Sequence, residues 1–256
     1  MTPARIILGS RSPRRRELLS LLVAPKQIEV RPPLNSDELG FDGLTTWLEI
    51  AQRLQLIARE KNDDVCQQLE QDAAEIVAQN DECENESGFR GTEPDASAFR
   101  LMGDANINWH LNHRDVPCLI LTADTTIVAT DAMNRFHVLG QPPDNETWPD
   151  VVRGWFRDLY AGRSHIAATA LCLTEWPTGR RIERIVQSHV LFRDDVEPLL
   201  DWYIATGEPR GKAGGYALQG LASVFVTRVE GSITNVVGLP LEALIELMPQ
   251  PRPVTP

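Results

Sequence analysis

Nowhere does the chain hold a run of about 18 uncharged apolar residues, so the sequence predicts no membrane-crossing helix. The stretch from Met1 to Ser10 lacks the apolar core of a secretory signal and meets an arginine cluster at once. Cysteine is scarce. Cys66, Cys83, Cys118 and Cys172 are widely spaced and form no C-x-x-C pair, which argues against a disulfide framework and against a zinc site. These absences together predict a protein of the reducing cytoplasm. An excess of positive charge is missing as well: the net charge of −11 excludes broad electrostatic adhesion to nucleic acid. No internal repeat is present, and the G-x-x-x-x-G-K-[ST] spacing of a Walker loop does not occur.

The acidity that is present sits in one place. Between Glu60 and Asp115 there are 14 acidic and 4 basic residues, a balance of −10, against −1 for the remainder of the chain. From Asn80 to Ala98 this piece is rich in Asp, Glu, Asn, Gly and Ser, a composition that buries too little apolar surface to order itself. Residues 60 to about 115 therefore read as an insertion, helical at first around Val65 to Ala78 and then a mobile acidic loop. Trp109, His110 and His113 within it read as ordinary loop residues, with no further ligand nearby to make a metal site.

On either side, strand and helix signals alternate. Ile6-Ile7-Leu8 reads as a buried strand, and Arg14 to Leu22 as a helix with Ser12 as its N-cap and Pro13 at its first position. Ile28 to Arg31 reads as a strand and Leu44 to Arg59 as a second helix. Further strands are expected at Cys118 to Leu121, Ile127 to Thr130 and His137 to Leu139, with helix from Pro149 to Tyr160. Ser164 to Glu175 and Arg180 to Phe192 form a hairpin about Pro177-Thr178-Gly179. Helices from Glu197 to Thr206 and Leu239 to Met248, and a strand from Ser223 to Val229, complete an α/β fold around a mixed sheet.

Four stretches carry candidate chemistry. Ser10 to Glu17 places three consecutive arginines at the start of a helix, where free amides and guanidinium groups can clamp an anion; its bland reading is a solvated basic turn. Ala123-Asp124-Thr125-Thr126 follows an apolar strand, and an Asp at a strand end can hold Mg²⁺ or orient a water; alone it is simply an Asp in a turn. Glu208 to Gly220 sets Lys212 among glycines, so that backbone and ammonium can approach an anion together, or else forms a flexible loop. Gly231 to Leu241 leads into the last helix and is otherwise a plain strand-turn-helix junction.

The order and wording of these stretches are more telling than any one of them. ILGSRSPRRRELL, ADTTIV, LGQP, GRSH, TGEPRGKAGGYALQG and GSITNVVGLPLEAL resemble the Maf family of nucleoside triphosphate pyrophosphatases, also called septum-formation inhibitors, over nearly everything outside residues 60–115. The resemblance implies an elongated Maf/ITPase-like fold with a central twisted mixed sheet and a nucleotide cleft. It implies cleavage of a nucleoside triphosphate to the monophosphate and pyrophosphate with Mg²⁺ or Mn²⁺, closest to the branch acting on dTTP and UTP, in one domain that the acidic piece interrupts.

By position, the resemblance gives Ser10, Arg14, Arg15 and Lys212 to the phosphates and Gln141 and Gln219 to the substrate. Asp124 takes the role of essential carboxylate, as general base or metal ligand. An upstream acid, Asp37 or Glu38, joins it at the metal, with Glu38 the chosen ligand. Homodimerisation is implied too, and the acidic piece is a candidate surface for another protein. Two departures stand out. The family's Leu-Gly-Lys-Pro is Leu139-Gly140-Gln141-Pro142, and the lysine of the second helix, in an Ala-x-x-Lys pattern, falls on Leu54 when Ala51-Gln52-Arg53-Leu54 is aligned to it. That alignment leaves two phosphate-side cations absent and gives a second reading, a nucleotide-binding regulator with weakened catalysis, unless Arg135 or Lys61 fills the gap.

Overall fold

Ile6–Leu8 (β1) is buried on every side, as a short uninterrupted apolar run requires. It runs parallel to Ile28–Val30 (β2) on one edge and to the start of Cys118–Thr130 (β3) on the other. The computed structural model describes residues 5–35, 39–86 and 117–248, with the side chains of 76–86 outside that description. Phe136–Leu139 (β4) folds back antiparallel on the far end of β3. Ser164–Trp176 (β5) and Arg180–Phe192 (β6) form the long hairpin read from the sequence, and Val226–Glu230 (β7) closes the order β2-β1-β3-β5-β6-β7. The sheet is mixed and seven-stranded, as expected.

β3 corrects one expectation. Asp124 does not sit at a strand end between two short strands. It lies in the middle of a single 13-residue strand, opposite Ala170 of β5. The other edge of β3 is different. β1 pairs with Leu119 to Leu121 and β4 with Ile127 to Thr130, so residues 122–126 have no strand neighbour on that edge. The amide of Gly9 donates to the Leu121 carbonyl at 2.8 Å, and there β1 turns away. A side chain at Gly9 would meet Thr122 Cγ2 at 2.5 Å, so only glycine lets the chain pass this close.

Helices cover both faces, and side-chain alternation along β3 decides what meets what. Leu119, Leu121 and Ala123 pack with Leu18 and Leu19 of Pro13–Leu19 (α1). The same cluster takes in Leu241 and Leu244 of Leu241–Leu247 (α6), with Val237 of Ile233–Val237 (α5) against it. The even-numbered residues face Trp47–Glu86 (α2), a helix of 40 residues. At 1.5 Å per residue it is about 60 Å long. Ile50, Leu54, Ile57, Ala58, Asn62, Val65, Leu69 and Ala73 are buried along it, nearly all at spacings of three and four, the stripe of a helix lying on a sheet.

The expected second helix to Arg59 and the helical start of the acidic piece around Val65 to Ala78 are one helix, and its core-facing stripe runs on to Ala73, so residues 60–73 join the sheet's cover. The acidic loop expected beyond, and Trp109, His110 and His113, lie outside the described residues.

At the other end of the long strands, Trp148–Gly154 (α3), its π-helical continuation Trp155–Tyr160 and Glu197–Ala205 (α4) enclose an aromatic cluster. Phe156, Tyr160, Phe192, Tyr203 and Phe225 meet there, mostly edge to face. No helix among the described residues is long and apolar enough to cross a membrane.

α2 is fixed on the sheet by polar as well as apolar contacts. The fully buried Asn62 amide donates to the carbonyls of Ile120 and Cys172, both at 3.3 Å, and its oxygen accepts from Thr174 at 2.5 Å. Thr122 Oγ1 donates to the Ala58 carbonyl at 2.7 Å. Asn62→Ala strands these partners without water. The expected loss is about 2–4 kcal/mol, or roughly 5–15 °C in Tm for a chain of this size, measured by thermal and denaturant unfolding.

Candidate functional site

The gap on the edge of β3 opens into a cleft of about 580 Å³. Gly9 to Arg15 form one wall and Asp124 to Ile127 the floor. Gly140, Gln141 and the 211–219 loop form a second wall, and Val236 to Gly238 and Lys61 close the remainder. Stretches far apart in the chain thus meet at the break in strand pairing on β3.

Ser12 caps α1 as expected, its Oγ accepting from the Arg15 amide at 3.4 Å. The helix has only seven residues, so its dipole is small and the guanidinium groups carry most of the positive field. The two central arginines behave differently. Arg15 donates through Nε to the Gly238 carbonyl at 2.9 Å, through Nη2 to Thr125 Oγ1 at 3.0 Å and through Nη1 to Ser10 Oγ at 3.3 Å. It ties α1 to β3 and to the turn after α5. Arg14 is half-buried, faces the same cleft and makes no hydrogen bond or ion pair among the described residues. Its five donors are available to a ligand. Ser10 is buried beneath both, accepting also from the Ser12 amide at 3.2 Å.

On the opposite face of β3, Lys61 Nζ lies 2.6 Å from Asp124 Oδ1, and the two side chains are 17% and 12% exposed. Lys61, one of the two cations considered for the gap, thus reaches the acid. Leu54 is fully buried against Ala168, Ala170 and Cys172 and never faces the cleft. Arg53 turns outward to the Gly40 carbonyl. Lys61 comes two turns after Leu54 and lies at the cleft end of the same stripe. In the sequence, Ala58-Arg59-Glu60-Lys61 carries the same Ala-x-x-Lys spacing that Ala51–Leu54 lacks. Arg135, the other cation considered for the gap, pairs with Asp131 in the β3–β4 hairpin.

The 211–219 wall is held from behind by three phenols. Tyr160 donates to the Gly214 carbonyl at 2.9 Å, Tyr203 to the Gly215 carbonyl at 3.0 Å, and Tyr216 shares a 2.9 Å hydrogen bond with His165 Nε2. Gly214 has φ +67°, and a Cβ there would meet the Tyr160 hydroxyl at 2.5 Å, so the turn needs glycine twice over. The Gly214 amide also donates to the Gly140 carbonyl at 2.9 Å, joining this wall to the turn that carries Gln141. Gln141 and Gln219 are exposed and face the cleft.

Lys212 is not brought to the cleft surface with its neighbours Gly211 and Ala213; its ammonium donates to the Glu208 carbonyl. Burial pulls its pKa down, and the like charge of Arg14 adds to this against the attraction of Glu208. Lys212 therefore stands near Arg14, half-buried like it, with its ammonium turned to Glu208.

The loop before α2 reaches the cleft at Pro33 and Asn35. Asp64 of α2 accepts from the amides of Leu34 and Asn35 at 3.0 and 3.1 Å, and Arg11 donates to the Pro33 carbonyl at 3.1 Å. Burial alone would raise the Asp64 pKa, but the amide of Asn35, the Gln68 side chain and the amide of Leu34 outweigh it and hold the carboxyl below its ordinary value. Glu38, expected at the metal, lies outside the described residues.

A family model described as Maf-like protein matches residues 5–250. A dTTP/UTP pyrophosphatase of Anaeromyxobacter sp. (strain Fw109-5) is 31% identical over 248 residues, 95% of this chain and 88% of that protein. One of Syntrophus aciditrophicus (strain SB) is 39% identical over 130 residues, 51% of this chain and 58% of its own. One of Pyrococcus horikoshii is 40% identical over 124 residues, 48% of this chain and 63% of its own. The chain thus matches about three fifths of the length of these last two relatives. A solved nucleoside-triphosphatase / dITP/XTP pyrophosphatase from Mycobacterium abscessus overlays with a TM-score of 0.32 and 13% identity, over 74% of this chain and 75% of that one, too loosely to carry an argument.

Two outcomes follow from the contacts. Arg15→Ala breaks the tie between α1, β3 and the turn at Gly238 and lowers Tm by several degrees; Arg14→Ala removes no such contact and leaves Tm within about 1–2 °C, both read by thermal melting. His165 is buried, and burial alone depresses its pKa from 6.5 to about 3. The unfolded chain then binds a proton that the folded one refuses. Stability from this group is complete above the ordinary value and is lost as pH falls from about 6.5 toward 3, at roughly 1.4 kcal/mol per pH unit. In His165→Phe that stretch of the stability profile flattens, measured by denaturant unfolding at successive pH values.

Proposed function

Because the chain belongs to the Maf-like protein family, we propose that it hydrolyses a nucleoside triphosphate, dTTP or UTP, to the monophosphate and pyrophosphate. The observation that carries the reading is the meeting of the basic turn with the Lys61–Asp124 pair in one cleft. Its relatives are named dTTP/UTP pyrophosphatases.

In this reading Arg14, with Ser10 beneath it and Arg15 as the fixed side of the wall, takes the outer phosphates. These become the leaving pyrophosphate, and bidentate guanidinium contacts suit its oxygens. Lys61 adds a further cation from the floor. A water oxygen bonds to the α-phosphorus, the bond from that phosphorus to the bridging oxygen breaks, and the water proton passes through Asp124 to solvent. Cations fixed in a half-buried cleft stabilise the charge that builds on the leaving group more than solvated ones would. Lys212 serves from behind Arg14, adding to the field. Gln141 and Gln219 bear amides with both donor and acceptor, which suit the carbonyl and N–H edge of thymine or uracil.

Among the described residues no cluster of three metal-binding side chains occurs, and the cleft offers one carboxylate, Asp124. That fits Mg²⁺ or Mn²⁺ held jointly by one or two carboxylates, waters and substrate phosphates, and does not fit an all-protein cage. Asp124 would be one ligand, with Glu38 proposed as the second. Bound there, the cation supplies charge neutralisation at the triphosphate. The alternative of a weakened regulator rested on two missing cations. Lys61 supplies one of them, and the enzyme reading stands ahead.

The test is pyrophosphate release by the full chain from a panel of triphosphates with Mg²⁺ or Mn²⁺. Turnover of dTTP or UTP is expected, and Asp124→Asn lowers kcat by about 10²-fold or more while nucleotide binding persists. Folded protein that turns over no triphosphate overturns the reading.

A further inference from the structure

We infer that Lys61 is a counter-ion gate, holding Asp124 closed to divalent cations until a triphosphate draws the lysine away, an inference that rests on the reading of this cleft as a triphosphate site. The ammonium sits 2.6 Å from the carboxylate on the cleft floor, with both groups largely shielded from water. At that separation it neutralises Asp124 and occupies an approach to Oδ1. A divalent cation arriving alone must displace the ammonium or sit beside it, and like charges a few ångströms apart repel strongly where water is scarce.

The pair is not needed to hold the helix. α2 is already fixed to the sheet on both sides of Lys61: by Thr122 to the Ala58 carbonyl at 2.7 Å, and by Asn62 to the carbonyls of Ile120 and Cys172 at 3.3 Å. With the backbone locked, only the four-carbon stem of Lys61 can move, and its flexibility lets Nζ shift within the cleft. The wall opposite carries Arg14, whose donors have no partner among the described residues. A triphosphate drawn to that wall brings several negative oxygens within reach of the lysine.

Transfer of Lys61 from carboxylate to phosphate keeps its charge paired and removes the ammonium from Asp124 Oδ1 at the same moment. Nucleotide and cation then favour each other's binding, and the coupling is reciprocal. Without nucleotide, Asp124 is a poor site for the cation.

The experiment measures Mn²⁺ binding to the full chain without nucleotide, by the electron paramagnetic resonance of free Mn²⁺. Wild type, Lys61→Met and Lys61→Gln are each compared with a partner that also carries Asp124→Asn. That subtraction removes Mn²⁺ held elsewhere on an acidic surface. The Asp124-dependent affinity is expected to rise about tenfold or more in both lysine variants, within the usual range of coupling between sites. Equal Asp124-dependent affinity in wild type and variants overturns the gate.

If neither variant folds, wild type labelled with ¹⁵N-lysine decides. An α,β-methylene triphosphate analogue, added without any divalent cation, should move the Lys61 Nζ resonance; bound analogue with an unmoved resonance overturns the gate. Turnover of dTTP without the Mn²⁺ gain would sink the gate alone. A Mn²⁺ gain without turnover of any triphosphate would sink the hydrolase reading and leave the contact between Lys61 and Asp124 as described.

Discussion

A carboxylate in the middle of a central strand is costly to bury, and the contact between Lys61 and Asp124 offsets that cost in this sheet. It can form because β3 lacks a neighbour on one edge from residue 122 to 126, where β1 has ended and β4 has not begun. It also depends on rotation of α2. A helix turned by one residue would carry Lys61 about 100° away from the carboxylate. Asn62 and Thr122 prevent this by pairing with main-chain carbonyls on either side. The cleft, the acid on its floor and the cation beside it are consequences of one gap and one helix register.

Around that pair the structure separates groups that build the cleft from groups left to act in it. Arg15, Tyr160, Tyr203 and His165 spend their hydrogen bonds on the backbone or on other side chains and hold the walls still. Arg14, Gln141 and Gln219 face the opening. Neighbouring arginines in one turn thus have opposite parts, because successive side chains on a helix diverge by about 100° and only one of them meets Thr125 and Gly238. Preorganisation of this kind lowers the ordering cost when an anion arrives.

Local signals were read well where local forces decide the outcome. Ile6–Leu8 as a buried strand, Ser12 as a cap, the hairpin about Pro177-Thr178-Gly179 and the α/β alternation all follow from apolar runs, capping and turn chemistry. Helix around Val65 to Ala78 is legible in the sequence, but its continuity with Leu44 to Arg59 is not, because the acidic composition of residues 60–75 masks the periodicity. Val65, Leu69 and Ala73 continue the spacing of Leu54 and Ala58 through a segment dense in Asp and Glu, whose charges sit on the other side of the helix or pair across it.

By itself the sequence determined which residue types gather near each turn, the strand and helix succession, and the family to which those stretches belong. Whether Asp124 ends a strand or lies within one was decided by tertiary structure, since only the lengths of its neighbours β1 and β4 set where the edge of β3 is bare. That Lys61 rather than Leu54 meets the acid was decided there too. Both lie on one stripe of α2, and which of them sits over the sheet's alanines and which over its gap depends on where a long helix rests along the strands.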